Sequence, residues 1–334
     1  MLTTKDVALN LYSFGYYGGF IKDEARSKPP LGIDGLVALV EKYKLGGIEI
    51  PFDHFFSSDE IQNGITYLRG IKESGHSVFI DLEKTNPVYI KLLLPMLSQL
   101  EIKVLRIKMD QIGKTIYGGN RYLSQTFDEA VKVFKSQLKE LVPFLENYDI
   151  CLAIENHQDF HSSELKKIVE EISTEHIGIT WDVGNSSSVC DSPETFYKTL
   201  EPYIRNVHLK DYSLVKSANG IKLIRCPFGE GFVDYRNILP MLYRNDRVVN
   251  MSIELGAQIT RECDLNFSQY WEALDGASVD RDSFLHFVDD NAKVETKVGY
   301  SEYEKDVSEE LMIESELNDI DISVKNLNQI ISSL

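Results

Sequence analysis

The sequence predicts an α/β chain folded as a (β/α)8 TIM barrel with a C-terminal amphipathic helical extension. Three observations predict it. Eight short runs rich in Val, Ile and Leu recur along the chain, and seven longer amphipathic segments separate them. Strand–helix alternation points to a parallel sheet, and eight units favour a closed barrel. No G-x-G-x-x-G follows the first run and no P-loop pattern occurs, which argues against an open nucleotide-binding sheet.

The expected strands are 7–11, 47–50, 78–82, 104–108, 151–156, 177–182, 206–209 and 249–255. The expected helices are 33–43, 60–73, 87–100, 124–147, 162–171, 192–203 and 235–244, each with apolar residues at three-to-four spacing. Asp34, and Ser192 with Pro193 behind it, read as helix-opening caps. Beyond about residue 290 the pattern changes. Ile313, Leu317, Ile320, Val324, Leu327, Ile331 and Leu334 recur at spacings of 4, 3, 4, 3, 4 and 3 on an otherwise acidic segment. Such a stripe either packs on the barrel's own helices or docks another subunit. The expected division is a catalytic barrel over 1–290 and an acidic helical extension over 291–334.

Composition narrows the function. The 334 residues are 43% hydrophobic, ample for one large core, and no Pro/Gly/Ser-rich linker divides them. A net charge of −17 disfavours phosphate-neutralising contacts, so no nucleic-acid partner is expected. Residues 295–334 contribute ten acidic side chains against three lysines. Cys151, Cys190, Cys226 and Cys263 form no CxxC knuckle and suit buried thiols in a reducing compartment. No basic start precedes an apolar run at the N-terminus. The most apolar stretch, 89–100, contains Lys91 and Pro95 and falls short of the roughly 18 residues of a membrane span. A cytoplasmic protein without a membrane partner is expected.

Barrel chemistry collects at the C-terminal ends of strands. The last four expected strands end in Glu155, Asp182, His208 and Glu254. Taken singly, each could be a buried group paired to a neighbour. Together, three carboxylates and one imidazole carry a charge that needs a cation. Oxygen-rich ligation with one nitrogen suits Mn²⁺ or Mg²⁺, with Co²⁺ as a further option.

These residues carry a resemblance. The segments AIENH (153–157), WDVGN (181–185), VHLKD (207–211), GEGFVD (229–234) and IELG (253–256) are similar to those of the xylose isomerase-like barrels, a group of sugar isomerases, epimerases and related lyases. The resemblance spans roughly residues 5–290. It implies that Glu155, Asp182, His208 and Glu254 bind one catalytic metal. Asn185 stands where ketose 3-epimerases place a His. The ends of the second and third strands offer Glu49, Asp53, His54, Asp81 and Glu83, not the His-rich set of endonuclease IV-type members.

His157 lies two residues from Glu155, so strand alternation turns both inward. It is either a general base or a group orienting a ligand carboxylate. Lys210 shares the face of His208. It either holds a substrate oxyanion or pairs with Glu230 or Asp182. The aromatic run Tyr12, Phe14, Tyr16, Tyr17 and Phe20, with Phe52, His54, Phe55 and Phe56, is either loop packing or a pocket wall. The expected substrate-binding set is Lys210, Glu230, Asn185, His54 and Tyr12, and the expected catalytic set is His157, Glu155 and Glu254.

The chemistry expected is proton abstraction beside the carbonyl of a sugar or oxo-sugar. Within the group, the chain resembles the catalytic subunits of C-glycoside deglycosidases, which act on 3-oxo-glycosides with a small β-rich partner. That resemblance implies a lyase that eliminates the aglycone. A sugar or sugar-phosphate isomerase or epimerase is the alternative, and a homo-oligomer is the alternative assembly.

Overall fold

The structure, a computed structural model, describes residues 2–21, 26–109, 120–124, 126–243, 249–293 and 302–334. Eight parallel strands close a barrel: β1 (Ala8–Asn10), β2 (Gly47–Pro51), β3 (Ser77–Asp81), β4 (Val104–Ile107), β5 (Cys151–Glu155), β6 (Ile177–Asp182), β7 (Ile204–Leu209) and β10 (Asn250–Ile253). All eight expected strands form, with ends shifted by up to two residues. Their alternation explains the layering. Ile48, Ile50, Ile80, Leu105, Ile107, Leu152, Ile154, Trp181, Val207 and Ile253 are apolar and buried in the main core. The residues between them are polar at the top of the barrel and face its interior, among them Glu49, Asp81, Arg106, Glu155, Asp182 and His208. A register shift between Ile179 and Thr180 brings Asp182 level with His208 on the neighbouring strand.

The helices between these strands are α1 (Gly32–Tyr43), the single turn α2 (Phe52–Phe55), α3 (Ile61–Glu73), α4 (Pro87–Gln99), α5 (Phe127–Tyr148), α6 (Ser162–Ile172), α7 (Pro193–Leu200) and α8 (Tyr235–Tyr243). Ser192 caps α7 as expected, its Oγ accepting from the Thr195 N–H at 3.1 Å. Asp34 does not cap α1: the helix opens at Gly32, and the Asp34 carboxylate inside the first turn accepts from the Tyr67 hydroxyl. Residues 125 and 244, inside or ending two expected helices, lie outside the described residues.

One element was not expected. After β7 the chain forms a hairpin of β8 (Asp211–Lys216) and β9 (Ile221–Cys226), and β11 (Arg261–Cys263) adds to it as an antiparallel sheet ordered β11-β9-β8. This sheet and the short helices α9 (Ser268–Glu272) and α10 (Arg281–Asn291) build a second core around Tyr212, Leu223, Tyr270 and Phe284. No helix among the described residues is long and apolar enough to cross a membrane.

The C-terminal stripe becomes α11 (Glu309–Ser333), capped by Ser308. Ile320, Val324, Leu327 and Ile330 join the barrel's own core cluster. The buried face follows 3.6-residue periodicity: Ile330 is buried, Ile331 only partly, and Leu334 is exposed. The apolar face is thus covered by the barrel rather than open to a partner. Buried polar contacts lock it there. Glu316, 2% exposed, accepts the backbone N–H groups of Tyr16 and Tyr17 at 2.7 and 2.8 Å and the Tyr303 hydroxyl at 2.6 Å. Arg225 of β9 ion-pairs with Asp319 at 3.2 Å and donates to the Ser13 carbonyl at 3.0 Å. The helix therefore staples the loop after β1 to the hairpin.

Candidate functional site

The four strand-end residues expected to bind metal are all buried. Ligating atoms of Glu155, Asp182 and His208 lie within 4.8 Å of one another. Glu254 joins them through Lys210, whose Nζ lies 2.8 Å from Asp182 Oδ2 and 2.6 Å from Glu254 Oε2. His208 is oriented from below. Its Nε2 lies 3.1 Å from Glu49 Oε1, and its Nδ1 faces the cluster 3.7 Å from Glu155 Oε2. A carboxylate behind an imidazole in this way sets the tautomer and leaves the other nitrogen's lone pair for a metal. Glu49 is itself held by Asn206 Nδ2 at 2.8 Å and by the Ser252 hydroxyl. Asp81 accepts from Asn10 Nδ2 at 3.0 Å.

Charge at this floor is unbalanced. Glu49, Asp81, Glu155, Asp182 and Glu254 face two fixed cations, Arg106, which pairs with Glu155, and Lys210. Burial raises the Asp182 carboxyl, and Glu254 and Glu155 add to it against Lys210, so it sits at about 8. Burial works against a charged His208, yet Glu49, Glu155 and Asp81 outweigh it and lift the imidazole to about 10. Both shifts express a deficit of positive charge.

The residues present fit a divalent metal. Asp182 Oδ1, His208 Nδ1 and Glu254 Oε2 are buried without a hydrogen-bond partner; Lys210 approaches the last of these but out of line. Orphaned buried polar atoms are costly unless something satisfies them, and a cation that displaces the protons of Asp182 and His208 would do so. A set of carboxylate oxygens with one imidazole nitrogen suits a hard to borderline divalent ion. A second trio, Glu49, Asp81 and His208, also comes within 4.8 Å, but both Glu49 oxygens are taken by Asn206, His208 and Ser252.

Above the floor a cavity of about 610 Å³ opens at the barrel mouth, with Tyr12, His54, His157, Lys210 and Glu254 among its lining. Tyr12 and His54, expected as substrate contacts, both line this cavity. Phe20 packs between them, 4.7 Å from the Tyr12 ring and 4.9 Å from His54. The other aromatics do not line it: Phe14, Phe52, Phe55 and Phe56 pack into the core, and Tyr16 and Tyr17 lie against α11. His157 faces the cavity and makes no hydrogen bond to a ligand carboxylate. Burial, then the positive charges of Lys108, Arg106, Lys210 and Arg261, hold its pKa well below the usual imidazole range, so it is neutral.

Two expected substrate contacts are placed elsewhere. Asn185 is buried behind the site. It donates to Asp182 Oδ2 at 2.7 Å and accepts from Gln158 and the Tyr212 hydroxyl, so it orients a carboxylate. Glu230 is exposed on a turn, and Lys210 pairs with Asp182 and Glu254 instead. The turn is held by Asp211, which accepts the N–H groups of Gly229, Gly231 and Val233. Sequence reasoning passed over Arg106 and Lys108, although alternation with Leu105 and Ile107 signalled that both turn inward.

The profile of the family described as Xylose isomerase-like TIM barrel matches residues 89–265, over half the chain. The chain belongs to this family. The "3-oxo-isoapionate decarboxylase" of Pectobacterium atrosepticum is 25% identical over 131 residues, 39% of this chain and 46% of that protein. The "uncharacterized protein YihM" of Escherichia coli K12 is 31% identical over 93 residues, 28% of each chain. The matches thus span less than half the length of these relatives. Among solved structures, a "D-tagatose 3-epimerase-like protein" superposes with a TM-score of 0.55 at 17% identity, covering 85% of this chain and 98% of its own. That likeness concerns the fold.

Proposed function

We propose that the chain is a metal-dependent enzyme that removes a proton beside the carbonyl of a sugar or oxo-sugar, with a lyase outcome. One observation carries this: a buried carboxylate–imidazole cluster with orphaned ligand atoms forms the floor of a cavity that also holds a neutral histidine and a lysine. Glu155, Asp182, His208 and Glu254 would hold the metal, with Mn²⁺ the first candidate and Mg²⁺ or Co²⁺ next. When bound, such an ion supplies Lewis-acid stabilisation of negative charge on a substrate oxygen. His157, neutral and without a carboxylate partner, takes the carbon-bound proton. Lys210 Nζ donates to an oxygen on which charge develops. Tyr12 and Phe20 offer an apolar face against the sugar ring.

The lyase outcome follows if a leaving group lies β to the carbonyl. The name of the decarboxylase relative supports it, since loss of CO₂ from a β-oxo acid leaves the same electron pair that proton abstraction leaves. Elimination of an aglycone from a 3-oxo-glycoside remains our specific reading, with any β-rich partner bound elsewhere than on the stripe of α11. An isomerase or epimerase is the second reading. It draws on Glu254, whose Oε2 makes no hydrogen bond and lies at the cavity floor as a second proton carrier.

The test is His157→Gln, assayed by product analysis on 3-oxo-glucosides and on a ketose panel. We expect kcat to fall about 10²-fold or more with metal content near one per chain, the scale of a positioned proton transfer. Full activity in the variant, or product formed only from ketoses, overturns the lyase reading.

A further inference from the structure

Three of the four expected ligands are held by strand pairing. Glu155 pairs with Thr180, Asp182 with His208, and His208 in turn with Ser252 on its other side. Glu254 is different. β10 ends at Ile253, which is the last residue paired with β1 and with β7, so Glu254 lies one residue beyond the ladder. Backbone past the end of a ladder frays unless other groups hold it. The side chain depends on that backbone. Its carboxylate turns back on its own chain, Oε1 accepting the Gly256 N–H at 2.6 Å, which leaves Oε2 beside Lys210 at 2.6 Å. Any swing of residues 254–256 therefore carries the ligand oxygen with it.

Ser13 brackets this residue. It ends the turn Leu11–Ser13 after β1 and is fully buried. Its Oγ donates to the Ile253 carbonyl and accepts from the Leu255 N–H, both at 3.1 Å. One hydroxyl, used as donor and acceptor at once, thus holds the peptide groups on either side of Glu254. Ser13 is itself fixed from its other side. Its carbonyl accepts from Arg225 Nη2 at 3.0 Å, and Arg225 is anchored to Asp319 of α11 and to the Tyr303 hydroxyl.

We propose that Ser13 is a positioning residue for Glu254, giving it the support that strand pairing gives the other three ligands. The inference rests on the proposed function for the metal, but the bracket itself is a property of the chain. The Ser13 hydroxyl is spent on backbone, so it acts through Glu254 by setting how that carboxylate enters the cluster.

The experiment is titration of the full-length protein with Mn²⁺, the free ion being counted by electron paramagnetic resonance. Ser13→Ala should lower Mn²⁺ affinity about 10- to 100-fold, the scale for a group that supports a metal ligand. Leu138→Ala, at a buried position of α5, is the control: it should lose stability yet keep its Mn²⁺ affinity within about twofold. A second comparison removes the ligand. In a Glu254→Ala background, Ser13→Ala should have no further effect, because the two act as one unit. A fall of the same size in that background makes Ser13 a general structural residue and overturns the proposal, as does unchanged affinity in Ser13→Ala. Ser13→Cys, of similar size with a weakly bonding thiol, carries the test if Ser13→Ala does not fold. Hydrogen exchange of the Leu255 N–H separates this proposal from the proposed function. In metal-free Ser13→Ala it should quicken about tenfold, the equivalent of one lost hydrogen bond. A parent that binds no Mn²⁺ while that exchange quickens sinks the metal-dependent function alone. A parent that binds Mn²⁺, with exchange and affinity unchanged in the variant, sinks the bracket alone.

Discussion

Replacing Glu316 by alanine removes the acceptor that holds α11 to the loop after β1. Three donors lose their partner: the N–H groups of Tyr16 and Tyr17 and the Tyr303 hydroxyl, at 2.7, 2.8 and 2.6 Å. An unsatisfied buried donor costs about 1–3 kcal/mol, and water entering the gap recovers part of the total, so we expect about 3–5 kcal/mol. A chain of 334 residues unfolds with an entropy of about 0.7 kcal/mol/K, which converts that loss to a fall in Tm of about 4–7 °C. Glu316→Gln is the control. Burial raises the Glu316 pKa above the usual range in spite of its hydrogen bonds, so the carboxylate gains little over a neutral acceptor. The sign follows: a folded pKa above the unfolded one means that ionisation costs stability as pH rises through that window. Glutamine keeps one oxygen for Tyr16 and Tyr303 but sets an amide donor against the Tyr17 N–H, so this variant should lose about 1–3 kcal/mol, less than alanine. Differential scanning calorimetry of both variants decides. An alanine variant melting within about 1 °C of the parent would show that Glu316 does not hold the helix to the loop. So would removal of residues 309–334 with the thermal transition intact.

Three other outcomes are expected. Asp182→Asn should leave the fold intact and cut metal bound after dialysis from about one per chain to a small fraction of that, measured by elemental analysis; unchanged metal content removes Asp182 from the site. Leu327→Ala, at a fully buried position of α11 within the barrel core, should cost about 2–5 kcal/mol by denaturant unfolding, whereas no loss would mean the helix is not packed there. A thiol reagent should label none of Cys151, Cys190, Cys226 and Cys263 in the native state and all four in denaturant. All are buried, and burial pushes the thiols of Cys151 and Cys190 up to about 12; rapid native labelling at neutral pH contradicts this.

The order of strands, the closure of the barrel and the inward set Glu155, Asp182, His208 and Glu254 were readable from the chain alone. Each depends on a period of two in a short segment and on where that segment ends. His157 was readable for the same reason. The hairpin of β8 and β9 was missed although it has a local signal, Asn219-Gly220 between two alternating runs. Arg261 had no such signal, because its place in the cavity depends on an antiparallel pairing across almost 40 residues of chain.

The sequence by itself determined which side chains face the barrel interior, because alternation and strand ends are local properties of the backbone. Only the tertiary structure decided which of them meet. Lys210 pairs with Asp182 and Glu254 rather than Glu230, and Asn185 supports Asp182. The stripe of α11 is covered by the chain's own barrel. These choices are set by competition among buried charges and apolar faces for the nearest partner in space, and strand closure, not chain order, fixes those distances.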